Sequence, residues 1–270
     1  MGSLRKVIAY GPHQDQWGEL FLPERPSESG LPGIVVVIHG GYWRDRYTAE
    51  LGIPVALDLT ARGFAVWNLE YRRAGTDGAE GAGGWPATFE DIASGIDALT
   101  DIAQKYRLDQ SKVAALGHSA GGHLAVWAAG RPTLPDGAPG ANPQVSLMGV
   151  VSQAGLLDFT AAWQLGLSAG AVENLMGSTP VEHAGRYRTA DPIAHLPVRI
   201  PIHAVHSRED ETAPFRLSET YVAAAVAAGD PAKLYETSGD HFAVITPGMA
   251  AFETCRQLVE EMLCPRPYLG

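Results

Sequence analysis

The chain has 270 residues, 46% of them hydrophobic and 19% charged, which is enough apolar material for a well-buried globular core. Its formal net charge is −10 and its pI near 5.3. An acidic surface repels phosphate backbones and anionic lipid, which argues against nucleic acid or a membrane surface as partner.

No run of apolar residues approaches the ~18 needed for a membrane span. The opening Met1-Gly2-Ser3-Leu4-Arg5-Lys6 lacks the apolar stretch of an export signal, and Lys6 stands where a myristoylation pattern needs Ser or Thr. Cys255 and Cys264 fall in one predicted helix, where nine residues of rise separate them by about 13 Å, too far for a disulfide. These features lead to the expectation of a cytoplasmic protein. No linker, repeat or charge block divides the chain, so one domain over 1–270 is expected, with oligomeric state left open between monomer and homodimer.

Two short alternating stretches, 7–10 and 17–22, predict an antiparallel pair. Residues 33–38, Gly-Ile-Val-Val-Val-Ile, form a continuous β-branched run, the pattern of a strand buried on both faces of a parallel sheet. Helical spacing over 48–62 stops at Gly63, and 64–67 reads as the next strand. Residues 74–84 are a Gly/Ala-rich loop. Pro86 opens a helix whose Phe89, Ile92, Ile96, Leu99 and Ala103 share one face. Strand 112–117 and helix 119–130 follow, then a Pro/Gly-rich loop to about 144 and a strand over 146–152. Strand 202–205, helix 215–228, strand 233–236 and helix 249–263 complete the chain. Strands alternating with helices imply βαβ units and a mostly parallel sheet flanked by helices. Residues 158–196 break the rhythm and read as a partly helical cap insertion over the strand ends.

Gly117-His118-Ser119-Ala120-Gly121 fits G-x-S-x-G, between a predicted strand and a predicted helix. On that turn a serine needs small neighbours, which Gly117 and Gly121 supply, and the helix N-terminus favours developing negative charge. A serine hydroxyl is a weak nucleophile until a base takes its proton. In a fold of this kind the acid and the base follow the serine in that order. Asp210, in the loop after strand 202–205, is the expected acid, with Glu209 and Asp158 as rivals. His241, in the loop after strand 233–236, is the expected base; Asp240 beside it would point elsewhere. His203 and His206 with Asp210 could suggest metal ligands, but residues three apart on a strand face opposite sides, so no metal is expected. His39-Gly40-Gly41-Tyr42-Trp43 ends the most buried strand. The N–H groups of Gly41 and Tyr42, with that of Ala120, would form an oxyanion hole, Gly40 allowing the turn and His39 fixing the loop.

These motifs, His39–Trp43, Gly117–Ala125, the Asp210 segment and His241-Phe242, resemble the α/β-hydrolase-fold kynurenine formamidases (arylformamidases) and their esterase relatives over roughly 30–260. The resemblance implies Ser119 as nucleophile, Asp210 as orienting acid and His241 as general base, hydrolysis of an aryl formamide such as N-formyl-kynurenine or of an ester through an acyl-enzyme, and no cofactor. Its expected partner is a small-molecule substrate. Tyr42, Trp43, Trp85, Trp163 and Phe242 lie in segments expected near the strand ends, where aromatic walls would suit an aryl group, although Trp85 and Trp163 read more readily as core residues. Two alternatives stay open: a carboxylesterase of another class, acting on acetyl or feruloyl esters, and a binding module that keeps the fold without the chemistry.

Overall fold

The computed structural model describes residues 4–24, 32–76 and 81–264. The chain opens with strands β1 (Leu4–Ala9) and β2 (Trp17–Leu22), followed by β3 (Ile34–Ile38), helix α1 (Ile53–Ala61) and β4 (Ala65–Leu69). Helices α2 (Ala87–Asp97) and α3 (Leu99–Tyr106) precede β5 (Val113–His118), α4 (Ala120–Gly130) and β6 (Gly149–Gln153). Helices α5 (Phe159–Gln164), α6 (Leu167–Met176) and α7 (Ala184–Ala190) then lead to β7 (Ile202–Ser207), α8 (Arg216–Ala227), β8 (Ala232–Thr237) and α9 (Ala250–Leu263).

The eight strands make one sheet in the order β1-β2-β4-β3-β5-β6-β7-β8. The pairs β1–β2 and β2–β4 are antiparallel, and every pair from β4 to β8 is parallel. This is the α/β-hydrolase fold, a mostly parallel sheet flanked by helices.

Why the β-branched run of β3 lies at the centre is visible in its burial. Ile34, Val36 and Ile38 join one core with Phe89, Ile92 and Ile96 of α2 and Leu124 of α4, while Val35 and Val37 join a second core with Leu59 of α1 and Phe252 and Val259 of α9. Successive side chains point to opposite faces, and helices cover both, so every position of the strand must be apolar. Parallel strands deliver their C-terminal ends to one edge. The loops after β3, β5, β7 and β8 therefore leave the sheet on the same side.

The expected helix over 48–62 is a single 3-10 turn, Ala49–Gly52, capped by the Thr48 side chain, running into α1. The helix opened by Pro86 is divided into α2 and α3 with only Ala98 between them, yet Phe89, Ile92, Ile96, Leu99 and Ala103 are all buried as its pattern required. Of the loop expected at 74–84, residues 77–80 lie outside the described residues. The segment between β6 and β7 carries α5 to α7. Cys255 is buried and Cys264 exposed, and neither is in a disulfide. Among the described residues, no helix is long and apolar enough to cross a membrane.

Candidate active site

Ser119 stands between the end of β5 and the first turn of α4 with φ 55° and ψ −118°. That backbone is strained for any residue but glycine, and it persists because the packing on both sides allows nothing else. A Cβ at Gly117 would collide with the Gly121 carbonyl, and one at Gly121 with the carbonyls of Ile38 and His39. All eleven residues of α4 are buried. The glycines thus let the helix press against the strand ends and hold Ser119 up at the sheet edge.

His241 and Asp210 arrive from the loops after β8 and β7. His241 Nδ1 lies 2.6 Å from Asp210 Oδ2, and the two side chains are 6% and 1% exposed. The other carboxylate oxygen, Oδ1, accepts from the backbone N–H of Thr212 at 2.8 Å and of Ala213 at 2.9 Å. Burial opposes charge on Asp210, but hydrogen bonds from His206, His241 and the Ala213 amide outweigh it and hold the carboxyl well below the usual carboxylate range. An acid ionised at neutral pH fixes the Nδ1–H tautomer of His241 and leaves Nε2 facing away from Asp210 as the unprotonated nitrogen. Ser119 and His241 line the same cavity, of about 270 Å³. Among the described residues the His241 ring is hydrogen-bonded to Asp210 and not to Ser119, so substrate binding must close the nucleophile–base contact.

The rival acids have other work. Glu209 accepts from the Gly239 N–H at 2.9 Å, Asp158 caps α5 through the Ala161 N–H at 2.9 Å, and Asp240 accepts from the amides of Phe242 and Ala243 at 3.0 Å. On β7, His203 packs its ring against Tyr235, whereas His206 turns to Asp210.

The loop after β3 carries the electrophilic side of the site. Gly41, Tyr42 and Trp43 all have positive φ, at 117°, 54° and 58°. Among the described residues, no protein acceptor is bonded to the N–H groups of Gly41, Tyr42 or Ala120, which leaves three donors for an oxyanion. Glu70, at the end of β4, ties this loop down. It accepts from His39 Nε2 at 3.0 Å, from the Ala49 N–H at 2.8 Å and from the Tyr71 N–H at 3.0 Å. Burial works against its charge, but the His39 contact, Arg73 and the Ala49 amide prevail and lower its pKa. His39 also stacks on Tyr71, with ring centroids 4.4 Å apart.

Two expectations need correction. Trp43 does not line the cavity: it is fully buried, and its ring meets His123 at 5.2 Å and Phe159 at 5.7 Å. The alternation of an extended strand has already ended at Gly41, so two consecutive left-handed residues turn Tyr42 to the cavity and Trp43 into the core. Gly40 is not part of the cavity wall either, and its φ is not positive. It must be glycine because a Cβ there would come within 2.9 Å of Ser119 Cβ and of the His118 carbonyl. Trp85 packs on Phe89 and Trp163 reaches Glu173 at 3.4 Å, both against the core and away from the cavity, in keeping with the core reading of these two residues. The aromatic side chains on the wall are Tyr42, Tyr47 and Phe242.

Other residues near the chemistry carried no recognised sequence signal. His118 donates from Nε2 to the His241 carbonyl at 3.0 Å, which fixes the loop bearing the base. Burial and the neighbouring His241 push its pKa down to about 3, so it stays neutral. Arg44, Arg46 and Ser168 also line the cavity. The one available cue was that two cations follow the His39–Trp43 turn in an acidic chain.

A family model described as BD-FAE matches residues 19–224. The chain is 30% identical over 126 residues to "Probable isoprenylcysteine alpha-carbonyl methylesterase ICMEL2" of Arabidopsis thaliana, a match covering 47% of this chain and 28% of that protein. It is 28% identical over 128 residues to "Esterase LipC" of Mycobacterium tuberculosis (strain ATCC 25618 / H37Rv), covering 46% and 29%. The chain therefore spans under a third of the length of these relatives. Among solved structures, a truncated form of a carbohydrate esterase from gut microbiota superposes with a TM-score of 0.80 at 20% identity, covering 97% of this chain and 96% of that one. At that identity the likeness is one of fold.

Proposed function

The chain belongs to the BD-FAE family, and from that premise we propose that it is a serine hydrolase acting as a carboxylesterase on small esters. The observation that carries this reading is the pairing of His241 Nδ1 with a buried, ionised Asp210 at 2.6 Å, beside a strained Ser119 in one cavity.

The steps balance without a cofactor. Ser119 Oγ attacks the ester carbonyl carbon while His241 Nε2 takes the hydroxyl proton. Charge on the carbonyl oxygen is met by the N–H groups of Gly41, Tyr42 and Ala120. The carbon–alkoxy bond then breaks, His241 returns its proton to the departing alcohol, and the acyl group stays on Ser119. Water repeats the sequence, and the acid leaves. Asp210 keeps the imidazole oriented and stabilises it while it is cationic.

A formamide of an aryl amine would follow the same path, with an amine as the leaving group. The resemblance at His39–Trp43 favours that second reading, but Trp43 lies in the core, and the named relatives and the structural neighbour are called esterases. An ester is therefore the leading substrate. Turnover of para-nitrophenyl acetate and butyrate beside N-formyl-kynurenine decides between them, with Ser119→Ala as control. Ester turnover lost in the variant is the expected result. Unchanged turnover in Ser119→Ala would overturn the reading, as would failure of a fluorophosphonate to label Ser119.

A further inference from the structure

Among the described residues, the wall of the cavity around Ser119 includes two arginines, Arg44 and Arg46, and no aspartate or glutamate. In a chain with 20 Lys and Arg against 30 Asp and Glu, a cavity of that composition runs against the surrounding field. Among the described residues neither arginine forms an ion pair with a carboxylate. Asp45, which stands between them in sequence, accepts instead from the Thr76 hydroxyl.

Arg44 is also held in place. Its two Nη atoms reach Ser168 Oγ at 3.4 Å and the Ala169 carbonyl at 3.2 Å, both on the segment between β6 and β7. Among the described residues its Nε is buried without a hydrogen-bond partner. A guanidinium positioned by neutral groups, with its charge unspent, matches a planar carboxylate in both charge and geometry. Cations confined to a partly closed cavity also raise the local concentration of an anionic substrate.

We infer that the substrate carries a free carboxylate in addition to the bond that is cleaved, and that Arg44 with Arg46 binds it. This rests on the hydrolase reading of Ser119 and specifies the substrate class for that site.

Two isosteric pairs test it. Mono-para-nitrophenyl glutarate against its primary amide places the charge on the acyl side, and para-butyryloxybenzoate against para-butyryloxybenzamide places it on the leaving-group side. In at least one pair, kcat/KM for the anion should exceed that for the amide by about ten-fold at low salt, the scale of a partly desolvated charge pair. The preference should shrink as salt is raised. It should fall towards unity in Arg44→Gln combined with Arg46→Gln. Equal or poorer use of the anion in both pairs, or a preference unchanged in the double variant, overturns the proposal.

Recognition is separated from chemistry in the Ser119→Ala protein. Equilibrium binding of the same four compounds should show the same preference there, again lost with the two arginines. A preference in binding with no turnover of any of the four compounds by the unmutated protein would sink the hydrolase reading and leave the carboxylate site standing. Ester turnover without a preference would do the reverse.

Discussion

His206 Nε2 stands 3.2 Å from Asp210 Oδ2, the same carboxylate oxygen that His241 Nδ1 reaches at 2.6 Å. The Ala213 carbonyl is 2.9 Å from that His206 nitrogen, and a carbonyl can only accept, so Nε2 carries a proton. His206 Nδ1 is then free to accept from the Ser218 hydroxyl at 2.8 Å. Asp210 therefore has two imidazoles and two backbone amides around it, and its orientation is set by more than its partner in catalysis.

Replacing His206 with Phe removes one of those donors and strands the Ala213 carbonyl, leaving the Ser218 hydroxyl only the Gly155 carbonyl at 3.4 Å. A buried unsatisfied group costs about 1–3 kcal/mol, so thermal unfolding should move down in temperature. Because His206 acts on Asp210 and not on substrate, kcat should fall by about ten-fold or more with KM little changed. A variant with native kcat at full occupancy would show that the second histidine is structural only.

Asp210 and Glu70 both hold their protons less tightly in the folded chain than an ordinary carboxylate does. A lowered folded-state pKa means that the stabilisation is complete above the unfolded value and is lost as pH falls through the folded one. Urea unfolding followed from about pH 7 down to pH 3 should therefore give steadily falling midpoints at the acid end. The decline should be shallower in Asp210→Asn. An equal slope in the two proteins would mean that this carboxylate contributes nothing to acid sensitivity.

Tyr42 and Trp43 are neighbours in the chain with opposite surroundings. Trp43→Ala empties a fully buried site and should cost about 3–5 kcal/mol in denaturant unfolding. Tyr42→Phe loses one hydrogen bond, from the hydroxyl to the Thr212 carbonyl at 2.6 Å, worth about 1 kcal/mol. Its main effect should appear in KM, because Tyr42 lines the cavity. Similar unfolding midpoints for the two variants would refute the inward placement of Trp43.

The two thiols should differ in reactivity. Burial pushes the Cys255 thiol up to about 12, with Gln153 and its own backbone opposing this weakly, whereas Cys264 is exposed. A thiol-disulfide reagent at neutral pH should therefore modify Cys264 quickly and Cys255 only after unfolding. Rapid modification of both thiols in the native protein would contradict the packing of α9 against the sheet.

Strand order of chemistry along the chain was legible because it is local. A β-branched run, a serine between glycines at a strand–helix junction, and an acid and a histidine after later strands can each be read within a few residues. The tie from Glu70 to His39 and the meeting of His206 and His241 on one carboxylate oxygen join residues about thirty positions apart, adjacent only after the sheet has formed. Nothing in the immediate surroundings of Glu70 marks it, and His206, four residues before Asp210, suggests a metal ligand and not a second partner for that carboxylate.

The amino-acid sequence by itself determined the sheet, its helices and which loops meet at its edge, since apolar periodicity and glycine placement act over short distances. Tertiary packing alone decided that Trp43 turns inward while Tyr42 turns out, and that Arg44 is pinned by Ser168 and Ala169 beside Ser119. Those outcomes depend on left-handed backbone at consecutive positions and on contacts between segments more than a hundred residues apart. Neither leaves a trace in local composition.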